Sequence, residues 1–120
     1  MSRSISIGYR KNGRGFEIEV SNPYFLLGGQ DSSKQFWSIP RLKEVGISNL
    51  TVLGDSDPVD FEGWGKLADL SYELDLLQMH LESIPFHTET KTQWLTHFTH
   101  CYYLLIQTAP RDSIPVFSIG

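Results

Sequence analysis

The sequence predicts an α+β fold: a mostly antiparallel sheet that begins with an N-terminal β-hairpin, packed on one face by two consecutive α-helices. Three observations carry this. Ile5, Ile7 and Tyr9 alternate with Ser4, Ser6 and Gly8, and Phe16, Ile18 and Val20 alternate with Glu17 and Glu19, the period of half-buried strands. Beyond Asp57 the period lengthens: Trp64, Leu67, Leu70, Leu74, Leu77, Leu81 and Ile84 step by three and four along one helix stripe. Trp94, Leu95, Phe98, Cys101, Tyr102 and Leu105 form a second such stripe. Strands followed by two helices, without regular βαβ alternation, place the helices on one side of an antiparallel sheet.

Taken in order, the first two strands are joined through Asn12-Gly13, the pair that most readily adopts the positive φ angles of a tight hairpin turn. Asn22-Pro23 ends the second strand, and Tyr24–Leu27 reads as a short strand closed by Gly28-Gly29. Phe36–Ile39 reads as extended, because Pro40 keeps the residue before it out of a helix. Arg41–Val45 has room for one helical turn, and Ile47–Leu53 reads as a buried strand ending at Gly54. The first long helix is expected to start at Asp57 as N-cap with Pro58 in its first position, and to run to about Ser83 before Pro85. Leu76 and Met79 widen its apolar stripe. Thr90-Lys91-Thr92-Gln93 has the form of a capping box opening the second helix, which Pro110 ends. Ile114–Ile119 closes the chain as a strand that Pro115 confines to an edge, or that begins at the proline.

The chain has 120 residues, 40% hydrophobic and 20% charged, the composition of one ordinary domain, and no composition break or repeat divides 1–120. Its net charge of −4 argues against nucleic acid or an anionic membrane as a partner and leaves basic proteins open. Cys101 is the one cysteine, so no intrachain disulfide or multi-cysteine metal site exists. The amino terminus lacks the apolar run of a secretory signal, and the longest apolar run, Cys101–Ile106, falls far short of the roughly 20 residues of a membrane span. A cytoplasmic protein is expected.

Charge is distributed unevenly. Eight of the fourteen acids (Asp55, Asp57, Asp60, Glu62, Asp69, Glu73, Asp75 and Glu82) lie between residues 55 and 82 beside one base, Lys66. Residues 1–54 carry seven bases against four acids. The acidic pole also holds Phe61, Trp64 and Tyr72, the residue types that anchor protein interfaces. Asp57, Asp60 and Glu62 have a local use at a helix N-terminus. The remaining one-signed charge along the helix costs a few tenths of a kcal/mol per repelling pair, on the order of 0.2–0.5, without local return, which points to an electrostatic partner. The candidate partner-binding residues are therefore Asp55, Asp57, Asp60, Phe61, Glu62, Trp64, Asp69, Tyr72 and Glu73. Trp64, between Gly63 and Gly65, is either exposed or a lid over the core, whereas Trp37 and Trp94 are core candidates.

Catalytic and cofactor chemistry finds no motif. Asp55–Glu62 starts like a calcium loop, but its fifth position is Val59, its sixth Asp60 where a turn glycine is required, and its twelfth Lys66 instead of Glu. His97 and His100 share a helix face, yet no third zinc ligand stands at recognisable spacing. Cys101 lies on the apolar stripe, where a thiol behaves as a small hydrophobe. Phosphate-loop and nucleophile-elbow patterns are absent. Arg14-Gly15-Phe16 begins like an RNA-binding strand, but Glu17 and Glu19 put carboxylates where RNA would lie. No catalytic residue, metal or cofactor is expected.

The hairpin Ile5–Val20, the strand Ile47–Leu53, the acidic segment Asp55–Glu82 and the helix Trp94–Thr108 together resemble, in organisation, the small acidic bacterial immunity proteins that neutralise toxins. That resemblance implies a non-catalytic inhibitor that binds a cognate, basic toxin domain one-to-one, with the carboxylates meeting basic residues and Phe61, Trp64 and Tyr72 as anchors. Two alternatives stand beside it. One is a small enzyme or ligand-binding protein with Glu17, Glu19, His97 and His100 around a cleft; the other is an adaptor subunit of an oligomer.

Overall fold

Residues 2–120 are described by a computed structural model in which the N-terminal hairpin forms the edge of a five-stranded sheet. Strand β1 (Ser2–Lys11) turns at Asn12 and Gly13, with φ of 53° and 75°, into β2 (Arg14–Ile18). These positive angles suit asparagine and glycine and match the twist of the flanking strands. β1 is longer than its partners, so one of its edges is shared. Ile7–Lys11 pair with β2, whereas Ser2 and Ser4 pair with β3 (Leu26–Gly29). Helices α1 (Gln30–Trp37) and α2 (Pro40–Glu44) follow, then β4 (Val59–Glu62), α3 (Trp64–His80), α4 (Thr88–Thr108) and β5 (Ile114–Ile119). The order β2-β1-β5-β4 is antiparallel throughout, and the two long consecutive helices pack on the sheet, as the hydrophobic periods predict.

Register explains which face is buried. Ile7 pairs with Phe117 and Phe117 with Phe61; Ile5 pairs with Ile119 and Ile119 with Val59. Side chains alternate across a strand, so these rows face the helices while Ser6, Ser118 and Asp60 point outward. Phe98 of α4 stacks on Phe117 at 6.0 Å, and Trp37 meets Phe98 edge-on at 5.9 Å, tying helix, sheet and α1 into one core. Trp37 and Trp94 are both buried.

Five expectations are corrected. Phe36 and Trp37 are helical, because Ser33, Phe36 and Trp37 make one buried face of α1, and the polar start of that helix hides its period. Ile47–Leu53 is not a strand: Ile47, Leu50 and Leu53 are spaced by three, which suits the 3-10 turn over Leu50–Gly54 that buries all three. Asp57 does not cap a helix and Pro58 does not open one. Val59–Glu62 pairs with β5, and α3 begins only after Gly63, whose φ of 94° turns the chain out of the sheet. Thr90–Gln93 lies inside α4, which starts at Thr88, so its capping box is not used. β5 is central rather than marginal. Pro115 is its second residue, one position past the last β4 pair, Glu62 with Val116, so its missing N–H interrupts no bond to β4.

The turn between α3 and α4 is held by a buried cation. Lys91 Nζ donates to the carbonyls of Leu81 and Ile84 at 2.7 and 2.8 Å, satisfying acceptors left at the end of α3. Lys91→Met leaves both carbonyls unpaired and is expected to cost about 1.5–3 kcal/mol in urea unfolding, the range for a hydrogen-bonded charge. No helix among the described residues is long and apolar enough to cross a membrane.

Candidate protein-binding surface

The acidic segment divides into carboxylates that hold the fold and carboxylates that do not. Glu73 belongs to the first group: it is 2% exposed. Its Oε2 accepts from the backbone N–H and hydroxyl of Ser48 and from the backbone and side-chain nitrogens of Asn49, the last two at 2.9 and 2.8 Å. Its Oε1 accepts from Leu50 N–H at 2.9 Å. One side chain of α3 thus caps the 3-10 turn that stands where a strand was expected. Phe61, 2% exposed, lies in the core, paired with Phe117 of β5. Neither residue belongs to a surface site.

Others are already engaged. Asp57 accepts from Gln30 Nε2 and stands 3.6 Å from Arg3 Nε. Arg3 is wholly buried; Ser33 accepts from its Nη1, while Nε and Nη2 have no hydrogen-bond partner among the described residues. Burial lowers its pKa, an effect that Asp57 opposes. Asp60 accepts from Ser118 across the sheet, and Glu62 pairs with Arg10. β4 therefore uses its carboxylates to dress an edge strand.

Asp55, Asp69, Asp75 and Glu82 are exposed and make no ion pair among the described residues. Asp69 and Asp75 lie one turn before and one turn after Tyr72, which is 63% exposed. Trp64, Ala68, Tyr72, Asp75 and Met79 recur at steps of four, four, three and four, a stripe on the solvent side of α3. Met79, expected to widen the buried stripe, is 73% exposed on it. Trp64 is 37% exposed, and its Nε1 donates to Ser113 O at 3.0 Å, which fixes the indole as a rigid wall. On α4, Tyr103, three residues before Ile106, is 54% exposed. A cleft of about 400 Å³ opens between Trp64, Ile106 and Arg111. Toward the other end of the helix pair, a cleft of about 430 Å³ is lined by Gln78 of α3, by Leu95, Thr96, Thr99 and His100 of α4, and by Tyr24.

From the sequence, Asp75 counts only as part of the acidic run and Met79 only as part of the buried stripe, and Tyr103, Ile106 and Arg111 are not read as binding residues. The helical spacing of Trp64, Tyr72, Asp75 and Met79 was a signal for the first two; nothing in one sequence pairs α3 with Tyr103 or Ile106.

Glu17, Glu19, His97 and His100 do not converge. Glu17 and Glu19 line a separate cleft with Ile5, Ile7 and Phe25, between the end of β2 and the start of β3. His97 is buried, its Nδ1 2.7 Å from Leu26 O, and His100 stacks on Tyr24 at 3.9 Å. Among the described residues no three His, Cys, Asp or Glu side chains come together as a metal site. Cys101 Sγ donates to Tyr24 O at 3.2 Å, and burial pushes its thiol up to about 12. It is expected to resist iodoacetamide at pH 8 while folded and to react once unfolded. Because the folded value lies above the unfolded 9.0, its contribution to stability is intact below pH 9 and declines between pH 9 and about 12, measurable as a falling Tm.

No protein-family model, no curated protein and no solved structure matches the chain.

Proposed function

We propose that this protein is a non-catalytic inhibitor that binds a basic protein domain one-to-one, as an immunity protein binds its toxin, and that it does so through the outer surface of α3 and α4. The observation that carries the reading is the exposed side of α3, where Tyr72 stands between Asp69 and Asp75, neither of them in an ion pair among the described residues, with Trp64 and Met79 exposed on the same helix and Tyr103 exposed on α4. A helix face that only meets water has no use for two tyrosines, a tryptophan and a methionine. Clusters of large apolar side chains rimmed by charge are the usual makings of a binding patch. Net acidity selects the partner: like-signed surfaces repel, and basic ones are drawn to this pole. Asp55 is exposed at the start of the same acidic segment and extends the negative field.

The test is affinity capture from the source cell with the intact chain, alongside a variant carrying Asp69→Lys, Tyr72→Ala and Asp75→Lys. The expected result is a basic domain recovered one-to-one by the native chain and not by the variant, whose toxicity in a host cell is relieved by co-expressing the native chain. Equal capture by both proteins, or a domain whose activity is untouched by the complex, overturns the reading.

A further inference from the structure

We infer that the free edge of β2 takes an extended segment of another protein, added as a further antiparallel strand, in which basic residues face Glu17 and Glu19 and apolar residues face Phe16 and Ile18. This surface is separate from α3 and α4 and does not depend on the reading above. β2 ends the order β2-β1-β5-β4, so it pairs on one side only. Which groups it leaves free follows from the register. Ile5 donates its N–H to Phe25 O, whereas Ser4 and Gly120 exchange both of their bonds, so odd residues of β1 turn their backbone toward β2 and β3 and even ones toward Gly120 and β5. Ile7, Tyr9 and Lys11 are therefore bonded to Ile18, Phe16 and Arg14. Gly15 and Glu17, opposite Arg10 and Gly8, send their N–H and C=O outward. A row of outward donors and acceptors at sheet spacing is a template for one more strand.

The other edge strand differs. On β4, Asp60 accepts from Ser118 and Glu62 pairs with Arg10, so both carboxylates are engaged within the sheet. Glu17 and Glu19 are exposed and make no ion pair among the described residues. β2 also has neither the proline nor the bulge that blunts an edge, and Phe16 is 41% exposed on it, stacked on Tyr9 at 5.0 Å. Side chains alternate, so the edge presents Phe16 and Ile18 on the helix side of the sheet and Glu17 on the outer side; Glu19 and Val20 continue the alternation in sequence. Glu17, Ile18, Glu19 and Val20 all line the cleft of about 520 Å³ that they share with Phe25, which leaves the apolar row unfinished at that end. Cross-strand pairing then sets the ligand: Lys opposite Glu17 and Glu19, Val opposite Phe16 and Ile18, and Glu opposite Arg14, which is exposed at the hairpin end. From its own amino end such a segment reads Lys-Val-Lys-Val-Thr-Glu. A second copy of this chain is a poorer occupant, because self-pairing along the whole of residues 14–20 sets Glu17 against Glu17.

The test sets the full chain against that hexapeptide, capped at both ends, in three forms: unmodified, N-methylated at both lysines, and N-methylated at both valines. In the added strand the lysine N–H groups face β2 and the valine N–H groups face water, so the two methylated forms keep the same charge and differ only in which side of the backbone is blocked. Binding is followed by calorimetry and by amide hydrogen exchange. The unmodified peptide is expected to bind one-to-one and, at saturation, to slow exchange at Gly15 and Glu17 by about tenfold or more. The valine-methylated form should stay within about threefold of it, and the lysine-methylated form should bind about tenfold more weakly or worse. Glu17→Lys with Glu19→Lys, and separately Gly15→Pro, which removes one outward N–H where an edge tolerates proline, should each weaken binding by about tenfold or more while the amides of Ile7 and Tyr9 stay protected, the sign of an intact hairpin. No saturable binding, equal binding of the two methylated forms, or no protection at Gly15 and Glu17 overturns the proposal. So does a chain that dimerises at micromolar concentration and protects those amides without peptide, which gives the edge to a second copy. Tyr72→Ala, on α3, should leave peptide binding unchanged; a loss there moves the peptide to α3 and overturns the β2 site while leaving the function proposed above in place.

Discussion

Glu73→Ala is expected to cost about 3 kcal/mol or more of stability, because several donors around the 3-10 turn lose one shared acceptor and an unsatisfied buried group costs about 1–3 kcal/mol. Five donors converge on this carboxylate, three of them backbone N–H groups of Ser48, Asn49 and Leu50. Without it, those groups lose their acceptor near the wall of the core formed by Ile47, Leu50 and Leu53. Against a typical total of roughly 5–15 kcal/mol, such a loss is a large share of what keeps a domain folded. Thermal unfolding should shift down by more than about 10 °C, at a few degrees per kcal/mol for a chain of this size.

Glu73→Gln separates charge from shape. Its single carbonyl oxygen can replace Oε2, which takes four of the five bonds, but the amide nitrogen then faces the N–H of Leu50. That donor-to-donor contact is expected to leave a loss of about 1–3 kcal/mol, the cost of one unsatisfied buried group. A Glu73→Ala protein as stable as the native chain would mean that the 3-10 turn holds without its cap. The same comparison separates fold from function within the acidic segment, because Asp69 and Asp75, only four and two residues away, make no ion pair among the described residues.

What could be read from the sequence follows from what periodicity measures. The hairpin was legible because alternation and Asn12-Gly13 agree, and α3 and α4 because long stripes leave little ambiguity. Val59–Glu62 was missed although Val59 and Phe61 do alternate with Asp60 and Glu62: four residues after Asp57-Pro58 look as much like a capped helix start as a strand. The turn at Leu50–Gly54 was missed because a spacing of three over so few residues is as readable as a buried strand. For the surface, residue type proved less informative than helical angle. Glu73 lies between Leu70 and Leu77 at steps of three and four, on the buried arc with Leu74, so its charge had to be satisfied inside. The ion pair of Arg10 with Glu62 and the contact of Arg3 with Asp57 join residues more than fifty positions apart and leave no trace in local sequence. Trp64 and Tyr72 were found from composition and charge; Tyr103 needed the pairing of two helices.

Binding should respond to the α3 stripe in two separable ways. Tyr72→Ala removes an aromatic side chain that has little to do in the free protein, so stability should stay within about 0.5 kcal/mol of native, as at other exposed sites. If Tyr72 is an anchor, affinity for the partner should fall by about 2 kcal/mol or more, roughly thirtyfold, and the loss should appear in faster dissociation. Asp69→Lys with Asp75→Lys should act chiefly on encounter. Each reversal replaces an attraction with a repulsion at a basic surface, so association should slow by at least tenfold at low salt, and the difference should shrink as salt shortens the Debye length to about 8 Å at 0.15 M. Stopped-flow or surface-plasmon kinetics against the captured domain resolve both effects. The informative pattern is the split itself. A site made of anchors and steering charges gives a dissociation defect from Tyr72 and a salt-sensitive association defect from the aspartates, whereas a surface remote from the contact gives a small association change and no dissociation defect. Unchanged dissociation in Tyr72→Ala would therefore move the interface off α3, even if the charge reversals slowed binding through the long-range field alone.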